Sequence, residues 1–377
     1  MTSRERLLTV LKGEIPDCVP AAPDISNMIP ARLTGKPFWD LYLYNDPPIW
    51  EAYIDCAKHF DIDSLMDGYF PLEFPEEKED GPDWETCIIF RNDSRIVTQE
   101  SYQENGKRVW SSRVNVYYRD DPPTNNVVPQ KIGLLDTPET WEPLEGVKPV
   151  DLGPEGLKRI KSLMGDQGLV GIQVTTTCAL NTTEDIYHYY DNMDKHEQWA
   201  EERIRKAEER FRRIMALEVK PDFLCVGGSG TLVFQSVDIF RQLGFPAARR
   251  IIELSTEAGI ITHVHSCGPE KELVKIMAEE TDLTVIDPLE VPPMGDCDLA
   301  DMKKKYGGRL VLKGNLHTTE VMLRGTRDDV IAASRKAIDD AAHGGRFILS
   351  TGDQCGRDTP DENLRAMVET ARTYGGY

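Results

Sequence analysis

The sequence predicts an α/β protein, a (β/α)8 TIM barrel with a β-rich insertion after its second strand. Three observations carry this expectation. From residue 168 onward, short apolar runs alternate with amphipathic helical stretches, the pattern of parallel strands covered by helices. Two earlier apolar runs bring the number of strands to eight. Between the second and third runs, a stretch from 84 to 131 breaks the rhythm and reads as antiparallel strands. The 377 residues suit one such barrel, so the chain is expected to be a single domain over 1–377 carrying that hairpin insertion.

The elements follow in order. The opening "MTSRERLLTVLKGEIPD" is an amphipathic helix: Thr2 and Glu5 have capping-box spacing, and Gly13 is a natural stop. It lacks the apolar core of a signal peptide. The first two strands are placed at "DCVPAAPDI" (17–25) and "DIDSLMDGYF" (61–70). In the insertion, "ENGK" supplies an Asn-Gly hairpin turn, and the flanks "FPEEKEDGPD" and "DDPPTNNVVPQ" are rich in turn residues. The remaining strands are "GLVGIQVTTTC" (168–178), "DFLCVGG" (222–228), "GIITHVHSCG" (259–268), "LTVIDPLE" (283–290), "RLVLKGNLHT" (309–318) and "RFILSTGDQC" (346–355). The longest helix between them is "DKHEQWAEERIRKAEERFRRIMALEV" (194–219). The Gly-rich "VGGSGT" (226–231) lacks dinucleotide-binding spacing and reads as a tight turn.

Composition narrows the function. A formal net charge of -20 argues against nucleic acid and against anionic lipid, both of which need a basic footprint. No apolar run approaches the ~20 residues that span a bilayer, so a cytoplasmic protein is expected. Eight cysteines at 18, 56, 87, 178, 225, 267, 297 and 355 form no CxxC pair. They are expected to be free thiols or metal ligands.

Barrel chemistry sits at the C-terminal ends of the strands. There the sequence places His263, His265 and Cys267, then Asp287 and Glu290, then Asn315 and His317, and last Asp353 and Cys355. Strand alternation allows His263, His265 and Cys267 to share one face. Such residues can hold a metal, supply a nucleophile or fill a core. His and Cys suit zinc, and three protein ligands would leave a fourth position open. No GxSxG elbow, HExxH helix or P-loop is present.

At these residues the chain resembles a known group. "SRERLLTVLKGEIPDCVP", "DPLEVPPMGD", "LVLKGNLHT" and "STGDQCGRDTPDENLRAMVETAR" are similar to segments of the uroporphyrinogen decarboxylase superfamily. The His265-x-Cys267-Gly268 motif and the late Cys355 resemble its zinc-dependent, corrinoid-linked methyltransferases. The decarboxylases' arginine-rich N-terminal segment is missing, since "PAAPDISNMIPARLTGKPFWD" holds one arginine, Arg32.

The resemblance implies zinc on His265, Cys267 and Cys355; Glu290 is the candidate for a fourth ligand or for an orienter of His265, and Glu290 and Asp353 are the candidate catalytic carboxylates. It implies transfer of a methyl group from an O-methyl donor, an aryl methyl ether, to the cob(I)amide of a corrinoid protein. The alternatives are transfer from methylcorrinoid to a thiol or to tetrahydrofolate, and a uroporphyrinogen-type decarboxylase. Tyr187, Asn315 and His263 are the substrate-binding candidates, with Tyr189, Tyr190 and Trp110 as further aromatic lining. The corrinoid carrier's D-x-H-x-x-G signature is absent, so the expected partners are a separate corrinoid protein and a small-molecule methyl donor. A homodimer is allowed; nucleic acid and membrane are not expected.

Overall fold

A computed structural model describes residues 1–77 and 81–377. Three residues of the turn-rich flank expected before the insertion lie outside the described residues. The strands are β1 (Ser64–Met66), β2 (Glu85–Arg91), β3 (Arg95–Glu104), β4 (Lys107–Tyr118), β5 (Thr124–Val127), β6 (Glu142–Pro143), β7 (Gly168–Gln173), β8 (Phe223–Cys225), β9 (Ile261–His265), β10 (Val285–Asp287), β11 (Val311–Leu316) and β12 (Phe347–Thr351). The chain divides into two compact units. One comprises Met1–Ile25, Ala57–Leu72 and Leu157–Tyr377, and the other Ser26–Cys56 and Glu73–Gly156.

The first unit holds a seven-stranded sheet in the order β1-β7-β8-β9-β10-β11-β12, every neighbouring pair parallel. Parallel strands covered by helices are buried on both faces, which is why they read as apolar runs. The expected first strand differs. Residues 17–25 form only isolated bridges, Cys18 to Gly376 and Ala21 to Leu349. Pro20 and Pro23 have no N–H to donate, so a regular ladder cannot form here. The segment nevertheless bonds to both edges of the sheet. Ala22 N–H donates to Leu349 O and Leu349 N–H to Pro20 O, each at 2.9 Å, and Asp63 N–H, just before β1, donates to Ala21 O at 2.9 Å.

The N-terminal helix, Ser3–Leu11, has the expected capping box. Thr2 Oγ1 accepts from Glu5 N, and Thr2 N donates to the Glu5 carboxylate at 2.8 Å. Its Leu7, Val10 and Leu11 pack on Leu65, Leu169, Phe223, Val285, Val311 and Ile348, residues near the starts of their strands. Each such fully buried side chain contributes roughly 1.5–3 kcal/mol. The apolar plug occupies the strands' N-terminal ends, so the polar residues at their C-terminal ends are left for a site.

The second unit carries an antiparallel sheet, β5-β4-β3-β2-β6, extending to Pro143. The Asn105-Gly106 turn joins β3 to β4 with φ of 51° and 75°, the left-handed pair that an Asn-Gly hairpin turn supplies. Alternation gives the sheet two apolar faces. Val97, Val114 and Val116 pack on one, and Ile88 and Ile96 with Leu43 on the other. No helix among the described residues is long and apolar enough to cross a membrane.

Candidate functional site

Register brings the polar strand ends together. In the parallel ladder His263 stands beside Cys225 on β8 and Val285 on β10, and His265 beside Asp287. Asp287, only 2% exposed, is the hub. Its Oδ1 lies 2.9 Å from His263 Nε2 and 3.1 Å from His265 Nδ1, and its Oδ2 accepts from the Lys313 ammonium. Burial alone would raise the Asp287 carboxyl, but Lys313 and the two imidazoles outweigh it and hold the group well below the usual carboxylate range. His263 forms a second ion pair, Nδ1 to Asp67 Oδ2 at 2.7 Å. Burial opposes its charge, yet Asp287 and Asp67 raise it to about 9.

Above this layer the loops after β9, β10 and β12 converge. Cys267 Sγ and one oxygen each from Glu290 and Asp353 lie within 4.8 Å of one another. His265 Nε2 is 3.7 Å from Asp353 Oδ1. Burial pushes the Glu290 carboxyl up, and Glu290 Oε2 accepts from Gly268 N at 2.5 Å. Gly268 has φ +93°, and a Cβ there would strike Val233, so only glycine fits after Cys267. Asp353 is also held at positive φ, +108°, a conformation that non-glycine residues adopt only where the surroundings enforce it.

The sequence-chosen residues are not all gathered. His265, Cys267, Glu290 and Asp353 meet. Cys355 lies two residues past Asp353, its N–H donating to Asp24 O at 2.8 Å. Its thiol is fully buried, which raises it to about 12, and it stands outside the close group. His263 is enclosed beneath the site, and Asn315 Nδ2 donates to Leu289 O at 3.0 Å. Tyr187 is 67% exposed on the helix Thr183–Asp191, where Tyr190 is exposed and Tyr189 is buried against Gln242. Trp110 belongs to β4 and packs edge-on against Trp141.

Three residues escaped sequence reasoning. Asp67 and Cys225 form a second close group with His263, and Lys313 balances Asp287. The available signals were an aspartate closing the run "SLMD" and a lysine inside the apolar run "LVLKGN". Asp287, expected at the mouth, lies buried beneath it against the Nδ1 of His265.

The donor set fits zinc. A thiol, an imidazole and two carboxylates are accepted zinc ligands. A carboxylate on the far ring nitrogen is how ligating histidines are oriented, and Asp287 occupies that position on His265 Nδ1. His265 is raised well above its ordinary value: burial disfavours its charge, but Asp287 outweighs it. A bound cation would displace that proton.

Residues 216–374 match the family model described as Uroporphyrinogen decarboxylase (URO-D). The chain is 30% identical over 139 residues to Methylcobamide:CoM methyltransferase MtbA of Methanosarcina mazei, covering 36% of this chain and 37% of that protein. It is 28% identical over 141 residues to Methylcobamide:CoM methyltransferase MtaA of Methanosarcina barkeri, covering 37% and 38%. The aligned part therefore spans little more than a third of these relatives. A solved structure, "methyltransferase from Methanosarcina mazei", shares the fold with a TM-score of 0.63 at 18% identity, covering 99% of both chains.

Proposed function

We propose that this protein is a zinc-dependent methyltransferase that takes a methyl group from a methylated corrinoid carried on a separate protein and gives it to a small thiol. The observation that carries the reading is the convergence of His265, Cys267, Glu290 and Asp353 at one end of the parallel sheet, above the carboxylate that orients His265. The names of the relatives, methylcobamide-to-CoM methyltransferases, favour this direction over the aryl-ether demethylation expected from sequence. The hydrogen bonds from residues 20–22 to both sheet edges support an eight-stave barrel, with the site at the mouth.

On this reading His265, Cys267 and Cys355 would hold the metal, with Glu290 as a fourth donor. Bound there, zinc lowers the pKa of the thiol and stabilises it as a thiolate. The protein's own groups do the rest. Asp287 fixes the His265 ring and its tautomer. Asp353, the more exposed of the two carboxylates, accepts the thiol proton at Oδ1 and passes it to solvent. Buried Glu290 and the Gly268 N–H hold the Cys267 loop against the β10 loop.

The test is anaerobic. The protein is mixed with methylcobalamin and a thiol panel including 2-mercaptoethanesulfonate, and separately with cob(I)alamin and methoxylated aromatics, while the cobalt absorbance is followed. Thiol-dependent loss of methyl-cobalt supports the reading. Methyl-cobalt formation from an aryl ether alone would reverse the direction, and no change in either mixture would refute the assignment.

A further inference from the structure

Asp67, Cys225 and His263 form a group that the site above leaves unused. Asp67 directly follows β1, Cys225 ends β8, and His263 lies within β9, beside Cys225 in the ladder. In the sheet β7 separates β1 from β8, so Asp67 reaches the other two past the intervening strand. One donor atom from each residue lies within 4.8 Å of the others, a spread that one ion with bonds of roughly 2.0–2.3 Å can span. Cys225 and His263 are 2% and 1% exposed, and only the Asp67 side chain, at 23%, reaches solvent. Phe223 packs edge-on against the His263 ring and supplies an apolar wall.

Hydrogen bonding alone leaves this group unfinished. Asp67 Oδ2 stands 2.7 Å from His263 Nδ1 but out of line with the ring N–H, so this buried nitrogen has no hydrogen-bond acceptor. Buried polar groups are almost always satisfied, and an orphan points to a missing partner. Cys225 Sγ donates to Asp67 Oδ1, but a thiol is a weak donor. The donors of one ion stand side by side and aim at it rather than at one another, as Asp67 and His263 do. Asp287 completes the pattern. It lies 2.9 Å from His263 Nε2, on the far ring nitrogen, where a carboxylate orients a ligating histidine. The same oxygen meets His265 Nδ1 at 3.1 Å. Each imidazole of β9 thus has one nitrogen on Asp287 and the other turned to a group holding a thiol and a carboxylate, His265 Nε2 toward Asp353 and His263 Nδ1 toward Asp67.

We propose that Asp67, Cys225 and His263 bind a second transition-metal ion, zinc by the chemistry of its donors, beneath the one held by His265 and Cys267. Imidazole, thiolate and carboxylate are all accepted zinc ligands. The exchange balances: a divalent ion enters, the His263 Nδ1 proton and the Cys225 thiol proton leave, and the charge of the group stays as it was. The ion ties the end of β1 to β8 and β9. It fixes His263, through it Asp287, and through Asp287 the ring of His265. The three are therefore positioning residues, and no reacting group touches them. Because both histidines share Asp287, the outer ion steadies that carboxylate and prepares the inner site. The inner ion binds second, and loss of the outer ligands empties both sites.

The test counts metal. Full-length protein is stripped with a chelator, loaded with Zn2+ alone, freed of excess and analysed for zinc by mass spectrometry. Loading with Co2+ in parallel reads thiolate ligation from its near-ultraviolet absorption. The wild type is expected to hold two equivalents of zinc. Asp67→Asn and Cys225→Ser are each expected to hold one, and Cys225→Ser to lose part of the cobalt–thiolate absorption. The zinc that Asp67→Asn keeps is expected to bind about 10-fold more weakly in chelator competition, the cost of a loosened orienting partner. One equivalent or none in the wild type, or two in either variant, overturns the proposal. Unchanged affinity of the remaining zinc overturns the positioning role. Should Cys225→Ser not fold, Asp67→Asn, altered at the partly exposed ligand, carries the comparison, and the wild-type count stands without any variant. Because metal is counted without turnover, two equivalents in a protein that transfers no methyl group uphold the inner site and count against the proposed reaction alone.

Discussion

His265 Nδ1 sits 3.1 Å from Asp287 Oδ1, and the same oxygen also meets His263 Nε2 at 2.9 Å. One buried carboxylate thus orients both imidazoles of β9, with Lys313 balancing its charge. Asp287→Asn keeps the shape and removes the charge. Zinc affinity, measured by competition with a chromogenic chelator, is expected to fall about 10- to 100-fold, the usual cost of losing an orienting partner. Unchanged affinity would show that His265 needs no such support.

Cys267→Ala and Cys355→Ala are each expected to abolish stoichiometric zinc in freshly purified protein while leaving the fold intact by circular dichroism. The two variants separate the geometry from the resemblance. Cys267 belongs to the close group with Glu290 and Asp353, whereas Cys355 enters as a ligand through the resemblance. Full zinc in Cys355→Ala would remove it from the ligand set and leave His265, Cys267, Glu290 and Asp353.

Gly268→Ala places a Cβ against Val233 at a backbone φ of +93°. The substitution is expected to cost about 1–3 kcal/mol through strain and to loosen the Gly268–Glu290 hydrogen bond. Denaturant unfolding checks the first effect and metal retention the second. A neutral result in both would show that the loop repacks freely.

Asp222 accepts from Arg4 at 2.5 Å, Lys161 at 2.9 Å and Val170 N at 2.9 Å. Burial would raise its carboxyl, but these partners hold it below its ordinary value of 3.8. A carboxyl depressed in the folded state stabilises fully above its unfolded value, and that contribution fades as pH falls through the folded value. Urea midpoints are therefore expected to decline below about pH 4, and less steeply in Asp222→Asn. An identical acid limb in the variant would place the pH sensitivity elsewhere.

Acid sensitivity is also expected of metal binding. Zinc must displace the proton that Asp287 favours on His265, so apparent affinity should rise with pH until that imidazole is neutral. Chelator competition across pH 6 to 9, a window of about three units around the ordinary imidazole range, reads this directly. A flat profile would exclude His265 as a ligand.

Much of the scaffold was legible in the chain itself. Buried parallel strands must be apolar on both faces, so β7 to β12 stood out as runs. The capping box at Thr2 and Glu5 and the turn at Asn105-Gly106 depend on neighbours within three residues, so local chemistry announced them. The H-x-C-G motif was likewise local. The segment 17–25 was misjudged as a regular strand because its apolar residues fit one while its prolines forbid the ladder.

What sequence determined by itself was whatever depends on near neighbours: the strand runs, the caps, the hairpin, and the presence of His265, Cys267, Glu290 and Asp353 at strand ends. Tertiary structure alone decided the partners. Asp67 meets His263, Lys313 meets Asp287, and Arg203, one of several arginines on an amphipathic helix, turns to the loop after β7. The physical reason is that charges interact through space at a few ångströms, and folding brings together residues that the chain holds far apart.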